Sequence, residues 1–201
     1  MKTIHSIAEL INVAEKASKE KAGQFILIAL EGPCGSGKST LASFMAEQYD
    51  WQVIHMDDFY LPWSKRAENW ESVPSGNIDT ERLVGEVLKP LWENQTVTYR
   101  PYHCREDIYG KEQCLHPTGM VLLEGNYSML PVLLPYSDLN LFLDTEESVC
   151  MERLKQREGE RFEWFCHMWL PMERKYRMEL SIRENCDYVI QSSILSQMQI
   201  V

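Results

Sequence analysis

Gly32-Pro33-Cys34-Gly35-Ser36-Gly37-Lys38-Ser39-Thr40 decides how the rest of this chain is read, because it fits the pattern G-x-x-x-x-G-K-[ST] at every fixed place. Phe25-Ile26-Leu27-Ile28-Ala29-Leu30 runs into it as a continuous apolar segment, the look of a strand buried on both faces of a parallel sheet. Thr40 to Gln48 follows with helical composition. Strand, glycine loop and helix thus arrive in the order that turns a row of backbone N–H groups and a helix N-terminus toward a polyphosphate. A phosphate that comes this close leaves no space for a Cβ at Gly32, Gly35 and Gly37, while Pro33, Cys34 and Ser36 complete the loop. Lys38 is expected to bring positive charge to the β- and γ-phosphates. Ser39 is expected to give its hydroxyl to Mg²⁺, with Thr40 inside the first helical turn.

The chain has 201 residues, enough for a single α/β domain with a sizeable core and a small insertion. A formal charge of −10 argues against a surface that coats nucleic acid, so a small substrate is expected. No apolar run approaches the roughly 18 residues of a membrane span. Glu9 and Glu15 lie in the N-terminal helical pattern and no arginine precedes Arg66, so neither a secretory signal nor a transit peptide is expected, and the protein reads as cytoplasmic. The cysteines at 34, 104, 114, 150, 166 and 186 have no C-x-x-C spacing and read as reduced thiols. His103, Cys104, Cys114 and His116 fall close together, in the spacing of no common zinc site. Nothing in the sequence decides for or against a homo-oligomer.

Taken in order, Ile4, Ile7, Leu10, Ile11 and Ala14 predict an amphipathic helix from 4 to about 20, ended by Gly23. Trp51 to Met56 predicts a strand beside the phosphate-loop strand, delivering Asp57, Asp58, Phe59 and Tyr60 at its C-terminal end, where ligands collect in open parallel sheets. Residues 61–77, with Trp63 and Trp70, read as a loop over the site whose aromatics either stack on a substrate or fix the loop. A helix follows from 78 to about 93 with Asp79 as its N-cap. Thr96 to Thr118 reads as a hairpin-like insertion. Buried strands are predicted at 120–123, 139–143 and 188–190. Between the last two lie a helix from Glu146 to about Glu158, capped by Asp144 or Thr145, and another from Pro171 to about Arg183. The region 153–170 reads as a lid.

A kinase must also hold a hydroxyl in line with the γ-phosphate. Asp57 is the candidate base and Asp58 its competitor. Glu124, which ends an apolar run with Gly125 after it, is the acidic group expected near the metal. Arg153, Arg157 and Arg161 recur every fourth residue; Arg153 and Arg157 share a helix face, and Arg161 points past Gly159. Such arginines stabilise charge on the transferring group and exclude water, unless they merely pair with Glu152, Glu158 and Glu160.

GPCGSGKST, HMDDFY, GNIDTERLVGEVLKPL, YRPY, VLLEGNY and LDTEESVCMERLKQRE, in this order over residues 23 to 191, resemble the uridine kinase and phosphoribulokinase family of P-loop small-molecule kinases. The resemblance implies a P-loop NTPase fold, a parallel sheet flanked by helices with a lid and a small hairpin, using ATP and Mg²⁺. It implies that Asp57 is the catalytic aspartate, that Lys38 and Ser39 serve phosphate and metal, and that Glu124 is the second acidic residue near the metal. Asp79 matches an aspartate holding ribose hydroxyls, Tyr102 an aromatic near the base, and Arg153, Arg157 and Arg161 the arginines of helix and lid. Tyr60 belongs to the same substrate-facing motif as Asp57. Asp58 stands where nucleoside kinases commonly have serine, and His103-Cys104-Arg105-Glu106 departs from their base-contacting segment. Uridine or cytidine is the first acceptor to consider, with pantothenate, glycerate, nicotinamide riboside and a sugar phosphate as alternatives. A nucleotide switch or an ATPase without acceptor is the rival, although the chain has no N-K-x-D and no LSGGQ-like segment.

Overall fold

The computed structural model describes residues 2–21 and 25–198. In chain order the elements are β1 (Lys2–Ile4), α1 (Ile7–Glu20), β2 (Phe25–Glu31), α2 (Lys38–Tyr49) and β3 (Gln52–His55). There follow α3 (Thr80–Arg82), a π-helical stretch Leu83–Leu88 and α4 (Lys89–Trp92). The strands β4 (Val97–Tyr99), β5 (Tyr102–His103), β6 (Ile108–Tyr109) and β7 (Gln113–Leu115) come next. The chain closes with β8 (Gly119–Glu124), β9 (Leu139–Asp144), α5 (Glu147–Glu158), α6 (Phe162–Glu179) and β10 (Tyr188–Gln191).

Six strands form one parallel sheet in the order β1-β10-β9-β2-β8-β3. Every residue of β2 is buried, as its unbroken apolar run requires for a central strand covered on both faces. Alternation along β2 divides the core. Ile26, Ile28 and Leu30 pack with Leu10, Ala14, Leu41 and Met45 of α1 and α2. Phe25, Leu27 and Ala29 pack with Leu83, Val87, Leu91 and Tyr176 on the other face. This is an α/β fold of the P-loop NTPase kind, with all strand C-termini facing one edge. The strand pairs β4–β7 and β5–β6 are antiparallel and stand apart from the main sheet. No helix among the described residues is long and apolar enough to cross a membrane.

Several sequence expectations need correction. The strand carrying Asp57 does not lie beside the phosphate-loop strand: β8 intervenes, pairing with both β2 and β3. Local sequence carries no strand order, and β2 and β8 both contain a buried apolar run. Residues 2–4 join the sheet edge instead of opening α1, which starts after an N-cap at Ser6, whose hydroxyl accepts from the Glu9 amide. The position assigned to the end of that helix, Gly23, lies outside the described residues. Neither Asp144 nor Thr145 caps α5. Asp144 takes a hydrogen bond from Arg183 at 2.6 Å, and the Thr145 hydroxyl donates to the Ser36 carbonyl at 3.1 Å. Helix α6 does not begin at Pro171 but runs through it from Phe162. A proline there loses one helical bond, and burial of Leu170, Met172 and Tyr176 on both sides holds the helix together.

Candidate active site

The phosphate loop joins β2 to α2 at the C-terminal edge of the sheet. Its glycines are needed by the protein itself. At Gly32, φ is +153°, and an added Cβ would lie 2.6 Å from the Leu143 carbonyl oxygen; at Gly35, φ is +81°, and it would lie 2.5 Å from the Cys150 carbonyl oxygen. The loop is therefore pressed against β9 and α5, and a side chain at either place would push it out of position. Gly37 caps α2 without any side-chain bond, so the first amides of the helix stay open to a ligand. The buried Ser36 Oγ also finds no partner among the described residues. Lys38 lies across its own loop, its Nζ donating to the carbonyls of Gly32 at 2.7 Å and Pro33 at 3.1 Å. Arg153 braces the loop from α5 by donating to the Ser36 carbonyl at 2.9 Å and the Gly35 carbonyl at 3.3 Å. An open helix N-terminus, two cationic side chains and an unpartnered hydroxyl fit a polyphosphate.

Ser39 Oγ donates to Glu124 Oε2 at 3.4 Å, while His55 Nδ1 meets Glu124 Oε1 at 2.6 Å. That carboxylate bond pulls the His55 pKa upward. Among the described residues no group of three or more His, Cys, Asp or Glu could hold a metal alone. Ser39 and Glu124 instead give two oxygens side by side, the donor set that suits a Mg²⁺ completing its shell with phosphate oxygens and water.

Asp57 lies on a single 3₁₀ turn, Met56–Phe59, just past β3. Its Oδ1 accepts from the Tyr60 hydroxyl at 2.9 Å. The side chain opens on a cavity, but crowding by protein and the nearby Glu124 charge raise its pKa above the ordinary aspartate value. Asp58 points away and accepts from the Tyr99 hydroxyl at 3.0 Å.

Two cavities meet here. The first, about 380 Å³, is lined by Gly35, Gly37, Lys38, Ser39, Glu124 and Arg153, among others. The second, about 540 Å³, is walled by Trp63, Trp164, Phe165 and Trp169, with Arg105 and Arg161 also lining it. Cys34, Asp57, Asn126 and Arg157 line both. Arg157 Nη2 donates to Cys34 Sγ at 3.4 Å and its Nε to Glu158 Oε1 at 2.8 Å. Arg161 lies over the Trp164 ring, 5.1 Å from the centroid. Tyr60 lines the second cavity and packs 5.7 Å from Trp169. The two tryptophans of the 61–77 loop part ways: Trp63 lines the cavity, whereas Trp70 is buried between Trp63 and Trp169 and fixes the loop.

Asp79 and Tyr102 are not among the residues lining either cavity. Asp79 caps its own helix, accepting from the Arg82 amide at 3.1 Å with the Arg82 guanidinium 3.9 Å away. Tyr102 is buried, packed on Tyr109 and bonded to Asp107.

Sequence reasoning passed over two buried carboxylates and an amide. Glu31 accepts from the Gly32 amide at 3.1 Å and from the Tyr176 hydroxyl at 3.0 Å; full burial raises its pKa to about 7. Glu173 accepts from the Cys34 amide and from Arg177, each at 3.4 Å, and burial raises its pKa too. Glu31 ends an apolar strand just as Glu124 does, and the signal that singled out one applies to the other. Asn126 Oδ1 is buried without a partner among the described residues. Its neighbour Tyr127 has a left-handed backbone, φ 75°, of the kind that collects at functional sites.

No protein-family model matches the chain. Uridine-cytidine kinase D of Dictyostelium discoideum is 25% identical over 118 residues, 59% of this chain and 23% of that protein. A uridine kinase of Clostridium novyi is 30% identical over 134 residues, 62% of this chain and 64% of that protein. A uridine kinase of Yersinia pestis is 27% identical over 157 residues, 71% of this chain and 73% of that protein. The chain thus spans about a quarter of the first relative and less than two thirds of the second. A possible uridine kinase from Bacillus stearothermophilus shares the fold with a TM-score of 0.66 at 19% identity, over 90% of this chain and 99% of that one. A D-glycerate 3-kinase from Cryptococcus neoformans shares it with a TM-score of 0.53 at 12% identity, over 96% of this chain and 94% of that one.

Proposed function

We propose that this chain, similar to uridine kinases in sequence and sharing a fold with P-loop kinases, transfers the γ-phosphoryl group of ATP to a hydroxyl of a small metabolite, a nucleoside such as uridine or cytidine first among them. The observation that carries this reading is the meeting of the two cavities at Asp57. A phosphate-binding cavity that opens through one carboxylate into a separate, aromatic-walled cavity suits an enzyme with two substrates, and a bare ATPase has no use for the second.

ATP bound with Mg²⁺ would supply an electrophilic phosphorus whose charge the metal partly neutralises. Ser39 and Glu124 would hold the metal. Lys38 would exchange its two loop carbonyls for phosphate oxygens, a trade of weak partners for charged ones. Asp57 would accept the proton of the acceptor hydroxyl or keep that hydroxyl in line, with the Tyr60 phenol fixing its Oδ1. Its raised pKa brings it nearer the range where a carboxyl works as a base. Arg157, lining both cavities, would neutralise charge developing between them, and Arg153 and Arg161 would act from the two sides. Trp63, Phe165 and Trp169 would exclude water and pack on the faces of the acceptor.

A panel of uridine, cytidine, nicotinamide riboside, D-glycerate and pantothenate, scored by ADP release, tests the reading. ADP release should rise well above the acceptor-free rate with at least one compound. Equal release with and without every compound supports the ATPase instead.

A further inference from the structure

Helix α6 and the turn before it present residues to the acceptor cavity every fourth position: Arg161, Phe165, Trp169 and Glu173 all line it. A spacing of four residues keeps side chains on one face of a helix. Arg177, the next in the series, lies behind Glu173 and donates to its Oε2 at 3.4 Å. The same Oε2 accepts from the amide of Cys34 in the phosphate loop. Glu173 is thus fixed through one oxygen by two donors, and Oε1 accepts nothing among the described residues. A carboxylate so anchored, only 5% exposed and lining a cavity, is a rigid acceptor waiting for a donor.

The residue that the family resemblance would assign to such a donor is engaged elsewhere. Both oxygens of Asp79 face Arg82 and its amide, and Asp79 does not line the cavity. Asp57, the other carboxylate of this cavity, already accepts from Tyr60 and is needed by the reacting hydroxyl. Asp57 and Glu173 line the same cavity, so one bound molecule can face both.

We propose that Glu173 Oε1 accepts a hydrogen bond from a second hydroxyl of the acceptor, so that the acceptor is a diol or polyol held between Asp57 and Glu173. The inference rests on the kinase reading above. It goes further in placing hydroxyl recognition on α6, and in linking it through Cys34 to the phosphate loop.

The test pairs a protein change with a substrate change. The best acceptor of the panel is compared with analogues each lacking one of its other hydroxyls, 2′-deoxyuridine and 3′-deoxyuridine in the case of uridine, in wild type and in Glu173→Gln. In wild type one analogue should show a KM about 10- to 100-fold higher than the parent, the worth of a hydrogen bond to a charged group. In Glu173→Gln that penalty should shrink to within about threefold, with the KM for ATP changed by less than about twofold. Equal discrimination in both proteins, or a loss confined to ATP, overturns the inference and makes Glu173 a brace for the loop, while leaving the kinase reading intact. Should the variant not fold, wild type alone decides: equal use of every deoxy analogue overturns it. Absence of ADP release with every compound overturns both readings together.

Discussion

The cavity proposed for phosphate and the cavity proposed for the acceptor share Cys34, Asp57, Asn126 and Arg157, yet they are built from opposite materials. The phosphate side is backbone: open amides at the start of α2, carbonyls held by Lys38 and Arg153, and glycines without which the loop would strike β9 and α5. The acceptor side is side chains, contributed by the segments around 57–63, 104–105, 126 and 157–173. A backbone site tolerates almost no change in the local sequence that shapes it, whereas a side-chain site can be refitted one residue at a time. On the proposed reading the first would fix the reaction class and the second the acceptor.

The largest effect expected is at the junction itself. Asp57→Asn keeps shape and hydrogen bonding but removes the charge, and turnover should fall by roughly 10² to 10⁴ with ATP affinity preserved. Asp58→Asn, whose parent side chain faces Tyr99, should retain most activity. Steady-state turnover of both variants with the true acceptor, alongside ATP titrations, checks this. The reverse order would move the base to Asp58 and detach it from the cavities.

Next in size is a property of the phosphate side alone. Glu31 is ionised in the unfolded chain above about pH 4.5 but keeps its proton in the folded protein up to about pH 7. Its contribution to stability is therefore complete below pH 4.5 and is lost as the pH rises to about 7, an amount of about 3 kcal/mol for a shift of this size. Glu31→Gln should lack that slope. Urea unfolding of both proteins at pH 5 and pH 7.5 measures it, and parallel behaviour would show that Glu31 titrates normally in the fold.

The smallest effect isolates the acceptor side. Trp169→Ala removes a ring that packs against Tyr60 and Trp70, and should raise the acceptor KM about tenfold, the order of one lost aromatic contact. The KM for ATP should stay within about twofold. A change of equal size in both would mean that the two sides are not separable.

The same contrast explains what could be read in the sequence. Gly32 to Thr40 was legible because a strand, a loop and a helix stand next to each other in the chain. Glu124 is legible because a carboxylate at the end of Val121-Leu122-Leu123 contradicts its surroundings, whereas Glu31 stands directly before Gly32 and reads as the start of the glycine motif. Strand order is not legible, since local sequence does not say which apolar run pairs with which, and the sequence therefore puts Asp57 one strand too close to the phosphate loop. The acceptor wall was half legible. Residues 165, 169 and 173 are spaced by four, but Pro171 hides the continuity of α6 that puts them on one face. Asp79 was assigned by resemblance, and nothing in its local sequence reveals that Arg82 would claim it.

On the proposed reading the γ-phosphoryl group passes from one cavity to the other without being lost to water. Phosphorus-31 NMR of the protein with ATP, Mg²⁺ and the best acceptor of the panel tests it directly. Loss of the γ-phosphorus signal should be matched one to one by a new phosphomonoester signal, with inorganic phosphate at background. Inorganic phosphate appearing in step with ADP, and no phosphomonoester, would contradict the account.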